Sequence, residues 1–127
     1  MYSRNAANRY RSIQVKTAAP GKVLVMLYDG LIRFLGEAKT AIAEGDRARG
    51  GERLDRSHRI VSELLCCLKP EHAPELCQQL EAVYNYSLDR IVRANIEWDE
   101  ALIDEAIAVL SPLREAWRQA AEEWVAA

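Results

Sequence analysis

The sequence is poor in the residues that usually carry chemistry. Its 127 residues include two histidines, three cysteines and one phenylalanine. Three cysteines cannot all pair, and Cys66 and Cys67 are neighbours, which suits reduced thiols better than a disulfide framework. The longest purely apolar run, Val23 to Tyr28, is far short of the ~20 residues that a membrane-spanning helix needs. The first residues lack the apolar core and small-residue cleavage site of a secretory leader, so the cytoplasm is the expected compartment. No Gly-rich phosphate loop and no nucleophile elbow is found. Asp55-x-x-His58 is one spacing of the kind di-iron bundles use, and it has no second copy. Cys66, Cys67, His72 and Cys77 lack the paired spacing of a zinc site, because adjacent cysteines on a helix point about 100° apart. With no catalytic group, metal or cofactor to assign, the chain is not expected to be an enzyme.

Net charge is small, and charge is uneven along the chain. The formal net charge is −2. Residues 1–22 carry Arg4, Arg9, Arg11, Lys16 and Lys22 with no acid, whereas the end from Glu97 onward is strongly acidic. A basic arm of this kind fits nucleic acid or the chain's own acidic end. Tyr2, Tyr10, Ile13 and Val15 are interspersed with the charges, and apolar residues at that density favour protein over nucleic acid.

What is abundant is helical periodicity. Half the residues are hydrophobic, enough for the core of one domain. Leu24, Tyr28, Leu31, Leu35, Ala38 and Ile42 step by 4, 3, 4, 3, 4, a seam for helix packing, with Pro20 suited to the first turn and Gly45 to a C-cap. Asp46 is placed to cap a second helix with the seam Leu54, His58, Val61, Leu65, Leu68. Gly50 and Gly51 cost that helix about 1 kcal/mol each relative to Ala, so its start is expected to fray or to come late. Pro74 opens a third helix with the seam Cys77, Leu80, Tyr84, Leu88, Ile91, Asn95. Asp99 caps a fourth, with Ile103, Ala106, Leu110, Leu113, Trp117, Ala120 and Trp124 in phase. Pro112 lies inside it, where proline costs ~3 kcal/mol or more, so a kink or a break near 108–112 is expected. The connections are short, which makes successive helices antiparallel neighbours. The expected fold is all-α: an antiparallel up-down-up-down four-helix bundle over residues 19–127, preceded by a mobile arm over 1–18.

"LYDG" at 27–30 is a local signal for a hairpin turn. The seam passes through Tyr28 and Leu31 without a phase slip, so the helical reading wins there. Gly30 then either admits a neighbouring helix closely or leaves room for a partner or the arm, with Asp29 available to an arginine or a backbone N–H. Six large rings, Tyr28, Tyr84, Tyr86, Trp98, Trp117 and Trp124, suit a core and also a surface that is covered in turn. An amphipathic helix docked in a groove is the interaction that such a bundle can offer.

Three stretches together resemble a known family. "YRSIQVKTAAPGKVLVMLYDGLIRFLGEA", "LEAVYNYSLDRIVRAN" and "LSPLREAW" are similar, in order and spacing, to motifs of flagellin-specific export chaperones, the FliS family. The resemblance runs from about Tyr10 to Ala120. It implies a cytoplasmic chaperone that binds the C-terminal segment of flagellin, prevents premature polymerisation and helps delivery to the flagellar type III export gate. It implies no direct membrane insertion, and leaves a homodimer open. It also implies an N-terminal segment that covers part of the groove until flagellin displaces it.

The motif positions that carry over are Tyr10, Val15, Thr17, Leu27, Tyr28, Asp29, Gly30, Tyr84, Tyr86, Asn95 and Trp117. The expected partner-binding set, in the groove or its N-terminal cap, is Tyr10, Ile13, Val15, Leu24, Leu27, Tyr28, Asp29, Tyr84, Tyr86, Leu88, Ile91, Asn95 and Trp117. The chain departs from the family pattern at Ala19, Gly50–Gly51 and Pro112. The alternative function is a helical adaptor or regulator that binds another protein, or itself, through the same groove.

Overall fold

The computed structural model describes residues 20–126, and side-chain surroundings for 21–123. Four helices follow in order: α1 (Pro20–Glu44), α2 (Arg47–Cys66), α3 (Pro74–Glu97) and α4 (Glu100–Ala126). Each helix packs on two others, α1 on α2 and α4, and α3 on α2 and α4, which closes the four-membered ring of an antiparallel bundle. The expected arm, with Tyr10, Ile13, Val15 and Thr17, lies outside the described residues.

The connections are as tight as the sequence implies. Gly45, at φ 73, lies in the left-handed region and ends α1. Its N–H bonds the Ile42 carbonyl at 3.1 Å, and the Asp46 N–H bonds that of Ala41 at 2.8 Å, the paired pattern of a Schellman ending. Asp46 also accepts from the Arg49 N–H at 3.1 Å, so one residue closes α1 and opens α2. Asp99 opens α4 by accepting from the Ala101 N–H at 2.9 Å.

α2 does not fray. It is helical from Arg47, because the glycine expected to weaken it is a packing site. Gly50 is buried under Trp98: a Cβ there would stand 2.5 Å from Trp98 Cη2 and 2.9 Å from Cζ3. Trp98 itself caps α3 in the left-handed conformation (φ 55, ψ 51), which costs a non-glycine residue about 1–2 kcal/mol. The Arg47 guanidinium lies 4.5 Å from its ring centroid and adds a cation–π contact on the other element. A left-handed backbone, a glycine and an arginine thus seat one indole at this end of the bundle.

A kink or a break was expected at Pro112; α4 runs through it as a single helix, so it does not break there. Packing holds it together. Ile103, Ala106 and Leu110 are buried before the proline, Ala121 is buried after it, and Leu113 and Trp117 pack on the core between. Tertiary contacts of this kind, more than propensity, decide whether a helix persists.

The seams are shifted in places toward small residues. α2 buries Leu54, Ser57, Val61 and Leu64, leaving His58 on its flank. α3 buries Ser87 and Ala94, where Leu88 and Asn95 were expected, and α4 buries Ala121 rather than Ala120. Ser57 and Ser87 enter the core because each hydroxyl donates to the carbonyl four residues back, at 2.9 Å (Arg53) and 2.8 Å (Val83).

Candidate partner-binding cleft

Asn95 and His58, off the buried seams, line a cleft in the bundle. It lies between α2 and α3, has a volume of about 260 Å³, and is lined by Leu54, Asp55, His58, Ile91, Val92, Asn95 and Ile96. Leu54 and Ile91 are core residues that form its floor. Val92 and Ile96, one turn apart on α3, are 44% and 74% exposed at its edge. Two branched apolar side chains left to solvent beside an apolar floor are the kind of surface that a partner helix covers. The polar groups are few. Asp55 pairs with Arg59 at 3.0 Å, and His58 Nδ1 lies 3.4 Å from Ser62 Oγ.

The expected site residues fall in different places. Ile91 and Asn95 line the cleft. Tyr28 and Tyr84 are interior, fully or nearly fully buried, with their hydroxyls 2.5 Å apart. Burial pushes both phenols above the usual tyrosine range; for Tyr84 the neighbouring Tyr28 adds to it, whereas for Tyr28 the hydrogen bond to Tyr84 opposes it. Trp117 is half-buried, and its indole Nε1 comes near the Tyr28 hydroxyl without reaching hydrogen-bond geometry. Leu24, Leu27 and Leu88 are half-buried against the core. Asp29 is exposed, 3.8 Å from the Arg114 guanidinium of α4. Tyr86 is exposed, with Arg90 stacked over its ring at 4.6 Å.

The "LYDG" run is helical throughout. No helix comes close at Gly30: among the described residues nothing lies within 4 Å of an added Cβ. Met26, one turn before it, is 58% exposed. Leu54, Asp55, His58, Val92 and Ile96 of the cleft, and the exposed Met26, stand outside the expected site set. The available signal was an apolar pair, Val92 and Ile96, at helical spacing but out of phase with the α3 seam.

Among the described residues no three His, Cys, Asp or Glu side chains come together as a metal-ligand set. No described helix is long and apolar enough to cross a membrane. Cys66 is exposed, Cys67 half-buried and Cys77 buried, all as free thiols.

The family model described as "Flagellar protein FliS" matches residues 3–124. The chain belongs to the FliS family. It is 34% identical over 120 residues to the flagellar secretion chaperone FliS of Bacillus subtilis, covering 94% of this chain and 89% of that one. The corresponding protein of Campylobacter jejuni is 34% identical over 119 residues, covering 94% and 93%. That of Salmonella typhimurium is 30% identical over 124 residues, covering 94% and 92%. A crystal structure of a bacterial flagellar chaperone superposes with a TM-score of 0.77 at 24% identity, covering 94% of this chain and 97% of that one, and so shares the fold. Membership of the FliS family makes the chain a flagellar secretion chaperone by family, and the cleft is then a candidate for the surface that holds its client.

Proposed function

We propose that the chain binds the C-terminal segment of flagellin in the cytoplasm, prevents its premature polymerisation and hands it to the flagellar type III export gate, without catalysing a reaction. The α2–α3 cleft receives an apolar helix face of the client. Val92 and Ile96 support this reading, because in a family of secretion chaperones they stand exposed beside an open apolar floor. A client segment that folds as it docks spends roughly 2–5 kcal/mol on ordering, which an interface of about 1,000–3,000 Å² offsets. Residues 1–18 act as a cap on the client surface, so removing residues 1–14 raises the on-rate or the affinity.

Titration calorimetry of the full chain against a flagellin C-terminal peptide tests this directly. Binding at micromolar protein is expected. A folded bundle by circular dichroism that takes up no peptide overturns it.

A further inference from the structure

The cleft has an apolar floor and edge, but its α2 wall carries an imidazole. We propose that His58 makes occupancy of the α2–α3 cleft proton-sensitive: the neutral ring admits an apolar helix, and the imidazolium opposes it. The inference rests on the docking reading above and adds a residue and a form of regulation to that site.

His58 sits on α2, half-buried, among Leu54, Ile91, Val92 and Ile96. A client helix covering Val92 and Ile96 removes water from this ring as well. Desolvating a neutral imidazole that can hydrogen-bond is cheap, whereas desolvating a charged one is not. The surroundings offer the charge little compensation. On its own helix the charged groups beside it are Asp55 and Arg59, already paired with each other at 3.0 Å. The α3 wall consists of Ile91, Val92, Asn95 and Ile96 and bears no charge. Ser62, 3.4 Å from Nδ1, is a neutral partner that serves either form of the ring weakly. Histidine is the side chain that ordinarily changes charge between pH 5 and 8, so the effect falls where a cell's pH moves. By linkage, a site that must shed one proton to bind loses at most about tenfold in affinity for each unit that pH falls.

The test is the affinity of the full chain for a flagellin C-terminal peptide between pH 8 and 5.5. Wild type is compared with His58→Gln and with His58→Leu as a second neutral variant, and the fold is checked by circular dichroism at each pH. The expected result is wild-type affinity that falls about tenfold from pH 7.5 to 5.5, with both variants flat over that range apart from any titration of the peptide itself. Variants that keep the wild-type pH profile overturn the proposal and leave the docking reading standing. A wild-type profile that is flat overturns it likewise. Absence of binding at pH 7.5 overturns the docking reading and this proposal with it.

Discussion

The Tyr28 and Tyr84 hydroxyls lie 2.5 Å apart and join α1 to α3 across the diagonal of the bundle, where the two helices otherwise do not pack on each other. Both rings are in the core, so each hydroxyl depends on the other. Tyr28→Phe strands the Tyr84 hydroxyl, and a buried group left unpaired costs about 1–3 kcal/mol. Tyr28→Phe with Tyr84→Phe removes both and recovers most of that loss. Chemical denaturation of the two single variants and the double variant measures the coupling.

The same pair sets an alkaline limit. Both phenols titrate higher in the folded chain than in the unfolded one, chiefly because they are buried. Folding therefore favours their protonated forms. The contribution is complete below the unfolded value, about 10, and is lost as pH rises through the folded values above it. Stability is expected to fall above pH ~10 in step with tyrosinate absorbance. The double Phe variant should keep more of its stability there.

Gly50 reverses the ordinary propensity rule. Alanine in a helix gains about 1 kcal/mol over glycine when nothing else changes. Here the new Cβ meets the Trp98 ring at 2.5 and 2.9 Å. Gly50→Ala is expected to destabilise by about 1–3 kcal/mol, the range for overpacking. Adding Trp98→Ala should remove the clash, leaving a double variant that loses less than the two single losses summed. Thermal unfolding of the three variants checks this.

The helices, their links and their caps were legible because they rest on local chemistry. Gly45 needs a positive φ, Asp46 and Asp99 have side chains of capping length, and the apolar steps of α1 run through Tyr28 and Leu31 without a slip. Gly50 was not legible, because its partner Trp98 is distant in sequence and reaches it only in the fold. The seams slid where small residues won the core: a serine whose hydroxyl bonds its own helix buries as well as a leucine, and sequence patterning scores it as polar. The cleft lies beside the shifted seams of α2 and α3. Of its lining, Ile91 and Asn95 were in the expected site set, and Leu54, Asp55, His58, Val92 and Ile96 were not.

Pro112 has no N–H to offer the Ala108 carbonyl, yet α4 continues through it. Pro112→Ala restores that bond on an exposed face where no packing is disturbed. A gain approaching the ~3 kcal/mol that an interior proline costs is expected. Urea denaturation reads it, and an unchanged midpoint means that α4 has already absorbed the proline without loss.

Gly30 separates two roles for the "LYDG" run. Nothing described stands within 4 Å of an added Cβ, so Gly30→Ala fits the bundle and should stabilise it by about 1 kcal/mol through helix propensity. If the glycine leaves room for a client or for residues 1–18, the same methyl intrudes on that contact. The expected outcome is a protein that melts higher and holds flagellin less tightly, or one whose affinity changes only while residues 1–14 are present. Calorimetry on the full chain and on the chain lacking residues 1–14 distinguishes the two occupants. Affinity unaffected in both reduces Gly30 to a site of untapped helix stability.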